Sequence, residues 1–244
     1  MTKLSVNLNK IALLRNSRGR DFPSVVNFAN KFISLGVQGI TVHPRQDERH
    51  ITMQDAYDLG ELLKDNNEVE FNIEGYPSAE FLQLIADIKP TQCTLVPDAP
   101  DQLTSDHGWD LTKDMQLVQE TCAKLKSLGV RAAIFLDPNA EHVELAAQSG
   151  CERIELYTEA FAASFATDKA SVVFSEYQAA ADKAIELGIE MNAGHDLDLQ
   201  NLSKFLTIPA ILEVSIGHVL TVECIELGMQ TVVAQYLDIC GKSA

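Results

Sequence analysis

Apolar and polar residues along this chain follow two rhythms, which alternate from one end to the other. Short runs with every second residue apolar, or rich in β-branched residues, are typical of strands. Longer stretches with apolar residues three and four apart are typical of amphipathic helices. The pattern predicts eight strands, at residues 3–9, 39–43, 68–74, 92–97, 131–137, 153–158, 189–193 and 211–216.

At least one helix is predicted after every strand. The expected helices lie at about residues 11–15, 23–35, 52–64, 78–88, 113–128, 139–150, 175–187, 199–206 and 219–237. Strands that alternate with helices indicate a parallel sheet with right-handed crossovers, and eight such units favour an α/β fold closed as a (β/α)8 TIM barrel. We expect one domain over residues 1–244. An open doubly wound sheet is the alternative, weakened because no GxGxxG turn follows the first strand.

Composition narrows the classes of partner. The formal net charge is −16, which argues against nucleic acid or an anionic membrane surface but allows a small phosphorylated ligand in a local basic pocket. The five cysteines form no CxxC pair, so neither a disulfide framework nor a zinc cage is expected. No apolar run is long enough to cross a membrane, and the first residues lack a signal-peptide layout, so we expect a cytoplasmic protein.

Basic and imidazole groups cluster where the second predicted strand ends. His43 closes the run Gly39–His43, and Arg45, Arg49 and His50 follow within seven residues. In barrels of this kind the active site forms at the carboxyl ends of the strands. The segment therefore predicts a proton-transfer group beside anion-binding groups.

Other strand ends carry similar chemistry. Four of the six histidines lie at or just beyond predicted strand ends: His43, His50, His195 and His218. Glu74 ends the third strand, and by alternation Glu70, Asn72 and Glu74 face the barrel interior. An interior carboxylate is costly unless it is paired or functional, so Glu74 is either an ion-pair partner or a general base with a raised pKa.

Two loops and one basic segment offer phosphate contacts. Gly217 and His218 precede a predicted helix, whose first N–H groups bind anions. The loop with His195 and Asp196 comes after the seventh strand, and barrels commonly bind phosphate after strands seven and eight. Arg15, Arg18 and Arg20 form either an anion clamp or a solvated loop.

Taken together, these segments resemble the pyridoxine 5′-phosphate synthase family. The matching pieces, in chain order, are Val6-Asn7, Ile11-Ala12, Leu14-Arg-Asn-Ser-Arg-Gly19, Gly39-Ile-Thr-Val-His-Pro-Arg45, Asp47-Glu-Arg-His-Ile51, Asn72-Ile-Glu74, Leu95-Val-Pro97 with Thr104, Asn192-Ala-Gly-His195 and Ile216-Gly-His218. The resemblance implies a barrel with a few extra helices, a homo-octamer, and condensation of 1-deoxy-D-xylulose 5-phosphate with 3-amino-2-oxopropyl phosphate, without metal or organic cofactor.

The resemblance also implies roles for individual residues. His43 and Glu74 match the family's proton acceptors, and His195 matches its proton donor. The positions that match contacts to the aminoketone phosphate are Asn7, Arg18, Asp196, Gly217 and His218. Those that match contacts to the pentulose phosphate are Asn9, Lys10, Arg45, His50 and Thr104.

Two positions depart from the family pattern. Many members have Asp-His where this chain has Asn9-Lys10, and we expect Lys10 to hold an anionic group of the pentulose. Many have Gly in place of Asp196, whose carboxylate would repel phosphate unless it turned away and left the backbone N–H in contact. The polar segment 98–110 is expected to close over the site.

Three alternatives remain open at this point. A metal-dependent isomerase or hydrolase would use His43, Glu74, Asp137, Glu155 and His195 as ligands. A lysine mechanism would form a Schiff base on Lys10. A regulator that only binds phosphorylated metabolites would need the phosphate contacts but not the His43–Glu74–His195 set.

Overall fold

The computed structural model describes residues 1–98 and 105–242. Within them, eight strands form a closed parallel barrel in sequence order, as the alternation of strands and helices predicts. The strands are β1 Lys3–Asn7, β2 Gly39–Val42, β3 Glu70–Gly75, β4 Gln92–Leu95, β5 Arg131–Leu136, β6 Arg153–Tyr157, β7 Glu190–Gly194 and β8 Ile211–Ile216. Pairing of Ser5 with Gly39 on one side and with Ser215 on the other closes the barrel through β1.

Eleven helices are found in the described part of the chain and surround this barrel. They are α1 Asn9–Asn16, α2 Val25–Ser34, α3 Met53–Leu63, α4 Ala79–Ile88, α5 Leu111–Leu128, α6 Ala140–Ser149, α7 Glu159–Ser164, α8 Ala170–Leu187, α9 Leu202–Phe205, α10 His218–Leu227 and α11 Met229–Gly241. None of the helices in this part of the chain is long and apolar enough to span a membrane. The fold is therefore a (β/α)8 TIM barrel with additional helices.

The structure corrects several predicted boundaries. Asn9, predicted in the first strand, is the first residue of α1. The helix predicted from Pro23 begins at Val25, because the side chain of Ser24 caps it by accepting from the backbone N–H of Asn27. The single C-terminal helix predicted at 219–237 is two helices, because Gly228 has a φ of +86° and breaks the helical path.

Apolar side chains fill the layer between strands and helices, while the barrel interior is polar. Along β1, for example, Leu4 and Val6 face the helices and are buried with the apolar core. Interior side chains form hydrogen bonds with one another around the barrel. The Ser5 and Thr41 hydroxyls are 2.8 Å apart, and Thr94 donates to the side chain of Asn72 (3.0 Å).

Two buried carboxyl groups stand in this interior without full counter-charge. Glu155 is 3% exposed, and its Oε2 lies 3.5 Å from the hydroxyl of Thr94. Burial, and then the neighbouring charge of Glu213, raise the pKa of Glu155 to about 8. Burial raises the pKa of Glu213 to about 7, with Glu70 adding to it and Arg153 opposing it. Both groups are therefore substantially protonated near neutral pH.

The raised pKa of Glu155 predicts that the stability of the folded chain depends on pH. A group whose pKa is higher in the folded than in the unfolded chain contributes its full stabilisation at pH values below the unfolded pKa. This contribution is lost as the pH rises through the folded pKa. The stability of the wild-type chain relative to Glu155→Gln should fall by about 1 kcal/mol between pH 7 and pH 9. Urea unfolding at the two pH values measures this difference. A difference that does not change with pH would show that Glu155 is ionised in the folded chain.

Candidate active site

Most of the predicted site residues lie at the carboxyl ends of the strands. Asn7 ends β1, His43 comes directly after β2, Glu74 lies near the end of β3, and His195 comes directly after β7. The parallel register keeps these ends level, since Val42 pairs with Ile73 and Gly194 with Ser215. We call this edge of the barrel the rim.

His43 and Glu74 form the centre of the rim. Nδ1 of His43 lies 3.9 Å from Oε2 of Glu74, and both side chains are largely buried. Burial, and then the positive charges of Arg45, His50 and Arg49, lower the pKa of His43 well below its usual value. His43 is therefore a neutral imidazole that can accept a proton at neutral pH.

Glu74 has the opposite shift. Burial, followed by the negative charges of Glu155, Asp98 and Glu213, raises the pKa of Glu74 well above its usual value, and Arg45 opposes the shift. Neighbouring imidazole and carboxyl groups whose pKa values are shifted in opposite directions are typical of an acid–base site. The interior position predicted for Glu74 is confirmed, and its pKa shift is the one expected of a general base.

Asn7 and Asn9 brace these two groups. Nδ2 of Asn7 donates to Oε2 of Glu74 (3.4 Å), while its Oδ1 accepts from the backbone N–H of Asn9 (3.0 Å). Oδ1 of Asn9 accepts from the backbone N–H of His43 (2.9 Å). The sequence does not predict this use of the Asn9 side chain, since it depends on where α1 begins.

His50 and Arg45 lie beside His43 and provide anion-binding groups. The His50 ring centre is 6.2 Å from that of His43, and its Nδ1 accepts from the backbone N–H of Ile51 (2.9 Å). Burial, and then Arg45 and Lys10, lower the pKa of His50 to about 4. The ring is therefore neutral near pH 7 with its proton on Nε2, which leaves an N–H donor for a ligand.

Side chains from α1 hold the segment after β2. Arg15 binds both carboxylate oxygens of Asp55 and donates to the carbonyl of His50 (3.2 Å). Nδ2 of Asn16 donates to the same carbonyl (2.8 Å) and to that of Arg49 (3.1 Å). Arg15 is thus a structural brace and not part of an anion clamp.

The segment after β7 holds His195 in a backbone conformation that residues other than glycine rarely adopt. His195 has a φ of +93° and Asp196 a φ of +57°. Thr158 donates to the carbonyls of Gly194 (2.7 Å) and His195, and the ring of Tyr157 contacts the His195 ring edge-on with centres 5.0 Å apart. Strain of this kind is maintained where the surroundings fix a functional side chain.

Asp196 does not turn away from the rim, although repulsion by phosphate predicts that it would. Its Oδ2 lies 3.3 Å from Nδ1 of His195. That contact is the largest cause of its lowered pKa, and the charges of His218 and Lys10 lower it further. The carboxylate at this position orients the His195 ring through Nδ1.

Gly217 and His218 lie where β8 passes into α10. A Cβ on Gly217 would lie 3.0 Å from the Cβ of Asn7, so the two strand ends approach as closely as they do because residue 217 has no side chain. Gly217 is the N-cap of α10, with no acidic residue in the first turn. His218 is exposed at the start of that helix.

Two predicted site residues are not placed at the rim. Arg18 is exposed in the turn after α1, and no hydrogen bond or ion pair of its side chain is found among the described residues. Thr104 lies outside the described residues, as does part of the segment 98–110 that is predicted to close over the site.

Asp98 is a rim residue that the sequence pattern does not reveal. This residue lies after β4 and is buried against Arg45, and its charge also raises the pKa of Glu74. Like His43 and Glu74, Asp98 lies close to the carboxyl end of a strand. The fourth strand predicted from the sequence ends at Pro97, however, so Asp98 is assigned to the loop that follows it. Among the described residues, no group of three or more His, Cys, Asp or Glu side chains could hold a metal ion, so the metal-dependent alternative gains no support.

Comparison with solved structures agrees with the barrel fold. Among solved structures, the fold is similar to phosphoribosyl anthranilate isomerase from Thermus thermophilus, with a TM-score of 0.61 and 11% identity over 98% of this chain and 100% of that one. It is also similar to a mutant tryptophan synthase alpha-subunit from Pyrococcus furiosus, with a TM-score of 0.66 and 11% identity over 98% of both chains. At such low identity these likenesses show the fold alone.

Sequence relatives are far more similar. Pyridoxine 5′-phosphate synthase from Bacteroides fragilis (strain YCH46) is 48% identical over 97% of this chain and 98% of its own. The protein of that name from Christiangramia forsetii is 48% identical over 98% and 99%. The family described as "Pyridoxal phosphate biosynthesis protein PdxJ" matches residues 4–242. The chain therefore belongs to the PdxJ family of pyridoxal phosphate biosynthesis proteins.

Proposed function

We propose that this chain is a pyridoxine 5′-phosphate synthase. It condenses 1-deoxy-D-xylulose 5-phosphate with 3-amino-2-oxopropyl phosphate to give pyridoxine 5′-phosphate, inorganic phosphate and water. Beyond family membership, one observation carries the proposal: a neutral histidine and a raised-pKa carboxyl are in contact on a rim that also presents cationic and N–H donor groups.

The reaction requires one new carbon–nitrogen bond, one new carbon–carbon bond that closes the ring, and several proton transfers. The amine of the aminoketone attacks the pentulose carbonyl to give an imine, and dehydration, phosphate loss and ring closure come next. Neutral His43 would remove protons, and so would the fraction of Glu74 that is ionised, which is a stronger base because its pKa is raised. Each would return the proton to a leaving hydroxyl. His195, with its ring oriented by Asp196, would supply the proton for donation.

The two phosphate groups would be bound by two different sets of residues at the rim. Arg45, His50, Asn9 and Lys10 support a site for the pentulose phosphate, since the charges of Arg45 and Lys10 both act on His50. For the aminoketone phosphate, the family pattern indicates Asn7, Asp196, Gly217 and His218, together with Arg18. Arg18 would have to approach from its exposed position, and Thr104 stays a prediction.

The proposal is tested by mixing the purified protein with both phosphorylated substrates. Pyridoxine-like absorbance should increase, and inorganic phosphate should appear in equal amount. Omission of either substrate should abolish both signals. Binding of one phosphate ester without any product would contradict the proposal and favour a regulator.

Glu74→Gln separates proton transfer from binding. Glutamine keeps the size and hydrogen-bonding shape of the side chain but cannot accept a proton, so we expect turnover to fall about 100-fold or more while substrate binding changes little. The fall in wild-type activity on the acid side of its pH profile should also disappear. Glu61→Gln, on the exposed face of α3, is the matched control and should retain full activity. Near-normal turnover in Glu74→Gln would refute the base assignment.

We further propose that the protein acts in the cytoplasm as a homo-octamer. Large apolar side chains are exposed on the neighbouring helices α1 and α10, at Leu13, Leu14, Val222 and Ile225. Exposed apolar groups of this size are typical of a surface that another chain covers. Light scattering should give a mass equal to eight chains of 26.8 kDa, and Ile225→Lys should lower it. A monomeric mass at micromolar concentration would rule out the octamer.

A further inference from the structure

We propose that Asp98 is a positioning residue that holds the Arg45 guanidinium in place for a phosphate ester. This inference rests on the proposed function for the identity of the ester, but not for the role of Asp98 itself. It assigns a task to the buried carboxylate that the proton transfers do not use.

Asp98 is buried at the rim, and only one of its two carboxylate oxygens is hydrogen-bonded within the described part of the chain. Its side chain is buried, with the residue 6% exposed, and Arg45 is 7% exposed. Oδ2 of Asp98 accepts from Nη2 of Arg45 and also from the hydroxyl of Ser105 (2.7 Å). Oδ1 is buried and has no hydrogen-bond partner in the described part of the chain.

A second arginine–aspartate pair in the same molecule shows what a bracing pair looks like. Arg15 uses two nitrogens to bind both oxygens of Asp55, and Asp55 also accepts from Thr52. Both carboxylate oxygens are thus satisfied. Arg45 instead meets Asp98 through one nitrogen and one oxygen, so the pair fixes the direction of the guanidinium while the rest of its planar fork stays available.

The position of Arg45 explains why direction matters. Arg45 lies two residues after His43, and its charge acts on both His43 and His50. A guanidinium on a long side chain must be held by packing and hydrogen bonds if it is to meet a phosphate in one geometry. Asp98, which lies just beyond the end of β4, provides that support from another strand of the barrel.

Two effects of Asp98 on an anion have opposite signs. Its negative charge repels the anion, so removal of that charge would tighten binding if electrostatics dominated. Its contact with Arg45 organises the binding group, so removal would weaken binding if positioning dominated. A positioning residue requires the second effect to be the larger, which makes the direction of the change decisive.

The experiment is a double-mutant cycle on anion affinity. Calorimetric titrations with inorganic phosphate and with 1-deoxy-D-xylulose 5-phosphate compare the wild type, Asp98→Asn, Arg45→Gln and the double variant. Asp98→Asn should weaken both ligands about tenfold in the wild-type background and less than about twofold when Arg45 is already replaced. Asp182→Asn, which removes a charge from the exposed face of α8, should leave both affinities unchanged.

Each outcome decides the question. Tighter binding in Asp98→Asn, equal losses in both backgrounds, or no Arg45-dependent binding of phosphate would overturn the proposal. If phosphate binds through Arg45 but the pentulose ester does not bind, the proposed function fails and the positioning role stands. Should Asp98→Asn not fold, Asp98→Glu replaces it, and its smaller loss must again vanish when Arg45 is replaced.

Discussion

The level register of eight parallel strands is the constraint on which the rest of this molecule depends. Because the strands close in sequence order, the ends of β1, β2, β3, β7 and β8 meet at one rim although they are far apart in the chain. Asn7, His43, Glu74 and His195 can therefore contact one set of ligands. A shift of one residue in any strand would turn its interior side chains toward the helices and dismantle the site.

Within that frame, burial decides the chemistry of the site. The same loss of water raises the pKa of Glu74 and lowers the pKa of His43, because burial disfavours the charged form of both groups. Neighbouring charges reinforce both shifts, because other acids surround Glu74 and arginines lie beside His43. Neither group needs an unusual partner, since burial in the barrel is the largest cause of each shift.

Strand alternation makes part of this site predictable from the sequence, whereas contacts between elements do not show in any local pattern. His43, Glu74 and His195 are correctly expected at one rim because each ends a recognisable strand. Asn9 and Arg15 are understood only once α1 is seen to pack over the segment after β2. The prediction of a single last helix is wrong because the left-handed Gly228 stands between two strongly helical stretches.

A chain with a net charge of −16 that binds two phosphate esters presents an electrostatic problem, and the barrel interior resolves it. Acids on the outer surface are screened by salt over about 8 Å and contribute little at the rim. The buried interior acids Glu155 and Glu213 have pKa values of about 8 and 7, so a large part of their charge is neutralised near pH 7. The positive charges of Arg45 and Lys10, which act on His50 at the rim, are therefore not cancelled by these two interior acids, and the overall charge of the chain is a poor guide to its ligands.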